Sequence, residues 1–327
     1  VMHPAMHHLC NEIKITNLQN GCIGLDTSFI FKDLSKPGFS LNTPDTLSCT
    51  KDSVELTTDL VDYTLYDYKW KTIDGILDHD LDKSSTWAKS TGKYTLIIQN
   101  KYNKCLDSLS VDVTADKDVP IAFIEPPQKL TCKKKQIELD GSKSSNGNSI
   151  TYSWSTTNGN ILSGNGNNKI QVDKTGDYKI VVTNNTNGCV KSYSIMVDID
   201  TLKPKVQIQT PEELSCIKTS VELDGSNSVS GSNITYSWST TNGIIVGNNN
   251  SNKAMASKSG TYTLSVLDTI NGCSNSTSID VKNDTTKPTA IIQASDTLNC
   301  TTQQIIIDGT KSSKGARYKY LWTPISG

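Results

Sequence analysis

The sequence predicts an all-β fold of tandem antiparallel β-sandwiches, each about 84 residues long and arranged end to end. Three observations predict it: a tryptophan returns at a fixed interval, apolar residues alternate with polar ones, and turn residues separate the alternating runs. The tryptophans are Trp70, Trp154, Trp238 and Trp322, each 84 residues from the next. A repeat of that length is the size of a small domain, so the chain is predicted to stack several domains.

Prolines and two series of cysteines keep the same phase and set the repeat boundaries. The prolines are Pro37, Pro120, Pro204 and Pro288. The first cysteine series is Cys49, Cys132, Cys216 and Cys300, and the second is Cys22, Cys105, Cys189 and Cys273. Counting from the prolines predicts complete repeats at 37–119, 120–203 and 204–287. Residues 1–36 are then the C-terminal part of a truncated repeat and residues 288–327 the N-terminal part of another, as expected for a piece of a longer array.

The repeat at 204–287 shows the strand pattern. Apolar residues alternate in Lys205–Gln209, Ser220–Asp224 and Thr261–Val266, as in strands with one buried face. Asn242–Gly243 and Asn271–Gly272 mark tight turns, because Asn and Gly tolerate a positive φ. Roughly seven short strands with turns about every 8 to 12 residues indicate an antiparallel β-sandwich, without helices.

Phased aromatic residues are predicted to form the core of each repeat. The tryptophans named above lie within alternating strands, so we expect their indoles to fill the space between two sheets. A Gly-x-Tyr tripeptide also recurs, and its tyrosines are Tyr94, Tyr178 and Tyr262. We expect each tyrosine at a corner of its sandwich, with the hydroxyl bonded to the backbone.

Composition limits the classes of function. Hydrophobic residues make up 35% of the chain and the net charge is −1. Such a balance gives no basic face for nucleic acid. No apolar run approaches the roughly 18 residues that a transmembrane helix needs. The abundance of Asn, Ser, Thr and Gly favours a soluble extracellular chain.

Four short motifs carry a resemblance to a known family. They are Asp140–Gly141–Ser142, Tyr152 with Trp154, Gly176 with Tyr178, and Asn187–Gly188–Cys189, with counterparts 84 residues further on. The pattern resembles the PKD-like and Ig-like repeats of large secreted Bacteroidetes surface proteins, including gliding-motility adhesins. The resemblance implies Ig-like or PKD-like sandwiches and a place on the bacterial cell surface.

The phased cysteines predict disulfides, because a secreted chain is not kept reduced. Zinc is disfavoured, since C-x2-C pairs are lacking. Two pairings are open. Within repeats, Cys49 would bond to Cys105, Cys132 to Cys189 and Cys216 to Cys273; between repeats, Cys49 would bond to Cys189 and Cys132 to Cys273. The first closes loops of moderate length, whereas the second suits cysteines at opposite ends of a sandwich and would join neighbours into a stiff rod.

Acidic residues recur near the predicted junctions. They are Asp116, Asp200 and Asp284, four residues before a proline, and Asp224 and Asp308, which begin Asp-Gly turns. Carboxylates that converge between tandem sandwiches would suit calcium, which prefers oxygen ligands. The alternative is that these residues form solvated turns before a rigid proline.

These features predict a protein that is not an enzyme, with no catalytic residue and no cofactor other than possible calcium. We expect a stalk or filament of a secreted, adhesin-like protein of the bacterial cell surface, extended as a rod. Its partners would be neighbouring repeats of the same chain, identical chains in a fibre, or surface glycans and host or substratum ligands, and not nucleic acid. The alternatives are repeats that themselves bind a glycan or protein, or an accessory region of a secreted hydrolase.

Overall fold

The prediction of an all-β tandem of antiparallel sandwiches is confirmed. The computed structural model describes residues 7–325, with side chains from residue 11 onward except that of residue 31. Within this range there are strands, turns and short connections and no helix, so none is present that could cross a membrane.

The repeat at 37–119 contains two antiparallel sheets. One pairs β3 with β5, and the other has the order β4-β6-β7. The strands are β3 (Val54–Thr57), β4 (Tyr66–Thr72), β5 (Ser85–Ala88), β6 (Gly92–Asn100) and β7 (Leu106–Val113). Residues from both sheets form one buried core, with Leu56 and Ala88 on one side and Trp70 and Leu96 on the other. Alternation of buried and exposed residues along β6 therefore produces a sandwich.

The repeat at 120–203 follows the same plan with an additional short edge strand. Its sheets have the orders β9-β12-β11 and β10-β13-β14, and β8 pairs with β15 in parallel. The strands are β8 (Leu130–Thr131), β9 (Ile137–Asp140), β10 (Ile150–Thr156), β11 (Ile161–Ser163), β12 (Lys169–Val172), β13 (Gly176–Asn184), β14 (Val190–Val197) and β15 (Ile199–Asp200). Trp154 on β10 lies opposite Ile180 on β13, in the register that places both in the core.

The repeat at 204–287 has this topology again. Its sheets have the orders β17-β20-β19 and β18-β21-β22, and β16 pairs with β23 in parallel. The strands are β16 (Leu214–Ser215), β17 (Val221–Asp224), β18 (Ile234–Thr240), β19 (Ile244–Val246), β20 (Lys253–Lys258), β21 (Gly260–Asp268), β22 (Ser274–Val281) and β23 (Asn283–Asp284). Its core joins both sheets, including Leu223, Trp238 and Leu264.

The two flanking segments contain only pairs of strands. Near the start, β1 (His7–Thr16) and β2 (Ile23–Lys32) form an antiparallel hairpin. Near the end, β24 (Gln293–Ala294) pairs with β25 (Ile307–Asp308). By the repeat count, the hairpin β1–β2 corresponds to the second part of a repeat, and the pair β24–β25 corresponds to the first part.

By their contacts the residues divide into two compact bodies. One consists of Val1–Lys129 and Gln136–Asp198, and the other of Leu130–Lys135 and Ile199–Gly327. Leu130–Lys135 belongs to the second body because β8 pairs with β15 and Cys132 is bonded to Cys273. The predicted domain boundaries at the prolines stay a prediction.

The tryptophans of the three complete repeats are buried. Trp70, Trp154 and Trp238 have exposed fractions of 2%, 3% and 1%. Each indole N–H donates to a main-chain oxygen 13 residues later, at 2.8 to 3.1 Å. Burial of an aromatic ring whose single donor is satisfied is a major contribution to core stability.

The prediction that Trp322 is a core residue is wrong for the described structure. Its exposed fraction is 54%, although its ring still lies against Gly309. In the complete repeat at 204–287, the counterpart Trp238 pairs across the sheet with Leu264 on β21. No described residue of the segment after Pro288 supplies a counterpart of β21, so the indole is covered on one side only.

The three corner tyrosines adopt a common arrangement. Tyr94, Tyr178 and Tyr262 are fully buried, and each hydroxyl donates to the main-chain oxygen four residues earlier, at 2.5 to 2.8 Å. Each ring also packs on a turn glycine: a Cβ added at Gly243 would lie 2.4 Å from the Tyr262 hydroxyl. Glycine is therefore required there by the close approach of the ring. Burial raises the pKa of the Tyr178 hydroxyl, which keeps it a donor.

Replacement of Trp238 by alanine tests the role of the indole. We expect Trp238→Ala to lower the local stability of its repeat by about 3–5 kcal/mol, because a cavity replaces the indole between the sheets. Hydrogen exchange of the β21 amides, followed by mass spectrometry on the monomeric chain, measures this change. Trp322→Ala is the matched control and should leave those amides unaffected; unchanged β21 exchange in Trp238→Ala would contradict the assignment.

Candidate functional site: the junctions between repeats

The first junction is formed by the turn Asn187–Gly188–Cys189, which lies against the preceding repeat. Cys189 forms a disulfide with Cys49, and their Cα atoms are 5.0 Å apart. The Asn187 main-chain oxygen also accepts a hydrogen bond from the Cys49 N–H at 3.1 Å. The turn is thus attached to the preceding repeat by one covalent bond and one backbone hydrogen bond.

The side chain of Asn187 orders the connection between the two repeats. It is 2% exposed, and its Nδ2 donates to Asp116 Oδ1 at 2.7 Å and to the main-chain oxygen of Asp118 at 3.1 Å. Its Oδ1 accepts the Cys189 N–H at 3.0 Å. A buried amide with these partners satisfied holds the linker, the turn and the disulfide together.

The second junction repeats these contacts. Cys132 forms a disulfide with Cys273, and their Cα atoms are 5.1 Å apart. Asn271 Nδ2 donates to Asp200 Oδ1 at 3.1 Å and to the Leu202 main-chain oxygen at 3.0 Å. The Asn271 main-chain oxygen accepts from the Lys133 N–H at 3.1 Å, one position after the cysteine that corresponds to Cys49. Because the two asparagine side chains have equivalent acceptors and both turns carry the disulfide, the arrangement belongs to the repeat and is not particular to one position.

The glycine of each turn is required by the close approach of the preceding repeat. Gly188 and Gly272 both have φ of 69°, a conformation that favours glycine. A Cβ at Gly188 would lie 2.5 Å from the Thr50 side chain, and one at Gly272 would lie 2.4 Å from Lys133 Cβ. Any larger residue would push the two repeats apart at this point.

Part of the same junction is present between residues 33–35 and 103–105. Asn103 Nδ2 donates to the Ser35 main-chain oxygen at 2.9 Å. Hydrogen bonds from Ser35, with a smaller contribution from Asn103, lower the pKa of Asp33. Lys104 replaces the turn glycine and still has a positive φ of 60°.

In the structure, both disulfides join cysteines of consecutive repeats. The alternative prediction, that cysteines pair within a repeat, is wrong. Cys49 is bonded to Cys189 instead of Cys105, and Cys132 to Cys273 instead of Cys189. Cys105 and Cys216, predicted by the pairing within repeats to be bonded, are unpaired in the described part of the chain. The reason is topological: each first cysteine lies near the end of its sandwich that meets the next repeat's turn.

The predicted calcium ligands at the junctions have protein partners. Asp116 and Asp200 accept hydrogen bonds from asparagine side chains, as described above, and hydrogen bonds from Thr286 lower the pKa of Asp284. Among the described residues, no group of three or more His, Cys, Asp or Glu side chains could hold a metal ion. A single carboxylate with an asparagine donor does not fit the oxygen-rich shell of calcium.

The acids of the Asp-Gly turns are also engaged. Asp224 accepts from Ser226, which lowers its pKa, and forms an ion pair with Lys253 at 3.1 Å. Hydrogen bonds from Thr310 lower the pKa of Asp308 in the same way. These carboxylates are turn formers in the structure, while calcium at these five acids stays a prediction from the sequence.

Sequence reasoning missed Asn187 and Asn271 as junction residues. The signal was present, since the Asn-Gly-Cys triplet recurs in phase with the aspartate four residues before each proline. Without the pairing of the cysteines, the asparagine could only be interpreted as a local turn residue.

No known protein family matches the chain, and no curated protein sequence matches it either. Among solved structures, the chain is similar to extracellular domains 3–5 of Drosophila OTK, with 11% identity, a TM-score of 0.26, and coverage of 71% of this chain and 91% of that one. It is also similar to three N-terminal domains of the highly immunogenic outer capsid protein (Hoc) of bacteriophage RB49, with 13% identity, a TM-score of 0.30, and coverage of 76% and 100%. A third is the N-terminal four Ig domains of Dscam1 isoform 6.44, with 11% identity, a TM-score of 0.24, and coverage of 79% and 80%. Similarity at these values assigns neither an activity nor a partner.

A single substitution tests the role of the buried asparagine. In Asn187→Asp a carboxylate faces Asp116 and the Asp118 carbonyl, so two acceptors lose their donor and two anions repel. We expect dithiothreitol to reduce Cys49–Cys189 at least about tenfold faster, corresponding to about 1.4 kcal/mol or more. Alkylation and peptide mass spectrometry measure the rate.

Asn158→Asp is the matched control for that substitution. Asn158 also precedes a glycine but is exposed, so its replacement should leave the reduction rate unchanged. Equal rates for Asn187→Asp and the unmodified chain would show that the asparagine does not hold the junction.

Proposed function

We propose that this chain is a non-catalytic structural segment, a stalk or filament, of an adhesin-like protein secreted to the bacterial cell surface. The observation that carries the proposal is that both disulfides join consecutive repeats. A disulfide within a sandwich stabilises that sandwich alone, whereas one between sandwiches restrains the joint. A restrained joint is what a load-bearing or distance-holding element requires.

The disulfides also support an extracellular location, because such bonds persist in oxidising compartments. The bacterial surface rests on the resemblance of the Asp-Gly-Ser, Tyr-x-Trp, Gly-x-Tyr and Asn-Gly-Cys motifs to repeats of secreted Bacteroidetes proteins. Glycan or protein binding by the repeats, and an accessory role beside a hydrolase, are the competing functions. No described group of side chains favours either of them.

The two disulfides interleave, which supports a mechanical role. Cys132 lies inside the loop closed by Cys49–Cys189, and Cys189 lies inside the loop closed by Cys132–Cys273. The shortest covalent path from Cys49 to Cys273 therefore runs through both disulfides and only the 57 residue steps between Cys132 and Cys189. Even if the repeats unfold completely, the distance between Cys49 and Cys273 cannot exceed the length of that path while both disulfides are intact.

A shape measurement tests the proposed function. We expect the oxidised chain to be a rod on the order of 150 Å long, because about four modules of strand length follow one another. Small-angle scattering or rotary-shadowed images of the monomeric chain measure this length. A compact globule would contradict the stalk.

Force spectroscopy tests the interleaving. Between Cys49 and Cys273 we expect a maximum extension of about 200 Å when both disulfides are present. In Cys49→Ser with Cys189→Ser the shortest path becomes the 83 steps from Cys49 to Cys132, giving about 290 Å. With both disulfides reduced, 224 steps allow about 770 Å. Equal extension in the three states would exclude an extension limit set by disulfides.

A further inference from the structure

Seven Asn-Gly pairs occur in the chain, all of them within the described residues, and the junction turns hold the two whose asparagine is buried. Asn187 and Asn271 are 2% and 3% exposed. Burial therefore separates the junction pairs from the rest. The exposed asparagines that precede a glycine are Asn20, Asn146, Asn158, Asn165 and Asn242.

An Asn-Gly pair is chemically reactive in water. The glycine main-chain nitrogen attacks Cγ of the asparagine side chain, because glycine has no Cβ that obstructs the approach. The bond from Cγ to Nδ2 breaks, and the amide leaves as ammonia with the proton of the glycine N–H. Water then opens the cyclic imide at either of its C–N bonds and yields aspartate or isoaspartate. The reaction consumes one water and releases one ammonia, and nothing is oxidised or reduced.

The closed first junction holds every group that this reaction needs. The Gly188 N–H donates to the Asn184 main-chain oxygen at 2.7 Å. Asn187 Oδ1 accepts the Cys189 N–H at 3.0 Å, and Nδ2 donates to Asp116 Oδ1 at 2.7 Å. The amide cannot turn toward the glycine nitrogen without losing these bonds, and burial shields it from solvent. The junction contacts therefore make Asn187 unreactive.

The second junction holds the corresponding groups in the same way. The Gly272 N–H donates to the Asp268 main-chain oxygen at 2.8 Å. Asn271 Oδ1 accepts the Cys273 N–H at 2.8 Å, and Nδ2 donates to Asp200 Oδ1 at 3.1 Å. Protection of the asparagine is therefore a property of both junctions.

The pair Asn242–Gly243 shows that local turn bonds alone leave the amide in solvent. The Gly243 N–H donates to Thr240 Oγ1 at 2.9 Å, and Asn242 Oδ1 accepts the Thr261 N–H at 2.9 Å. The glycine nitrogen and the amide oxygen are thus engaged, yet Asn242 is exposed. What distinguishes the junction asparagines from it is burial against the preceding repeat.

We propose that Asn187 and Asn271 are deamidation sites that the junction disulfides keep unreactive. Reduction of Cys49–Cys189 by a dithiol yields two cysteine thiols and the cyclic disulfide of the reductant. The turn is then held by non-covalent contacts alone, and their opening exposes the amide to water and frees it to turn toward Gly188. The inference goes beyond the proposed function, because it follows from the junction contacts whatever purpose the joint serves.

Deamidation makes the opening of a junction irreversible. An aspartate in place of Asn187 puts a second carboxylate opposite Asp116, so a hydrogen-bond donor is lost and two anions repel. An isoaspartate also adds one atom to the main chain before Gly188, which displaces the cysteine that has to meet Cys49. Because ammonia has left, neither product returns to asparagine. A short exposure to reductant is thus reversible, whereas a long one is not.

A variant that lacks one junction disulfide tests the proposal. Full-length Cys49→Ser with Cys189→Ser is incubated in mildly alkaline buffer without reductant. We expect Asn187 to deamidate at least about tenfold faster than in the unmodified chain, because its turn now opens. Asn271, whose disulfide is intact, should keep its rate. Peptide mass spectrometry measures each site by the mass gained when NH2 is exchanged for OH.

The matched variant exchanges the two junctions. In Cys132→Ser with Cys273→Ser we expect Asn271 to accelerate and Asn187 to keep its rate. Asn242 lies in the same repeat as Asn271 and, because it is exposed already, its rate should not change.

Three outcomes would overturn control by the disulfides. The first is deamidation of Asn187 in the unmodified chain as fast as that of exposed Asn158, and the second is an unchanged rate in the variant without Cys49–Cys189. The third is acceleration of Asn158 by the same factor as Asn187, which would assign the effect to unfolding of their common repeat.

Reoxidation tests irreversibility. The unmodified chain is held in dithiothreitol for a short or a long period and is then transferred to a glutathione redox buffer. We expect Cys49–Cys189 to form again after the short period. After the long period it should form only in chains whose Asn187 is still an asparagine. Equal recovery of the disulfide in deamidated and unmodified chains would contradict irreversible opening.

Discussion

The attachment of the turns Asn187–Gly188–Cys189 and Asn271–Gly272–Cys273 to the preceding repeat is the constraint on which the account depends. At that point a disulfide, a backbone hydrogen bond and a buried asparagine act on the same few residues. Each of these contacts alone restrains only a few atoms. Together they fix the position of the linker aspartate, the turn and the loop that carries the first-series cysteine. The contacts at the end of a repeat are therefore as specific as those in its core.

The core and the junction are connected through the strands that carry them. β13 and β21 each hold a corner tyrosine and the partner of the core tryptophan, and each ends at the turn that forms the junction. Burial of the tyrosine and the indole fixes the register of that strand, and the register fixes where the turn is presented. Packing inside a sandwich thereby determines where its cysteine meets the preceding repeat.

The sequence predicted the core better than the junction. The 84-residue interval identified Trp70, Trp154 and Trp238 and the three tyrosines, because a phased aromatic residue in an alternating strand has one place in a sandwich. The sequence did not decide between pairing within repeats and pairing between repeats, because spacing along the chain does not determine which ends of two sandwiches meet. Asn187 was missed since its partners, Asp116 and Asp118, are about 70 residues away. Trp322 shares with Trp238 the Tyr-x-Trp motif and the repeat phase, and its exposure depends on a partner strand that phase alone does not supply.

Peptide mapping of the oxidised chain under non-reducing conditions tests the central claim most directly. Proteolysis with thiols blocked, followed by mass spectrometry, identifies each disulfide-linked peptide pair. The account predicts that Cys49 is joined to Cys189 and Cys132 to Cys273. Recovery of Cys132 joined to Cys189 would contradict it, because the sandwiches would then be closed individually and their joints would carry no covalent bond.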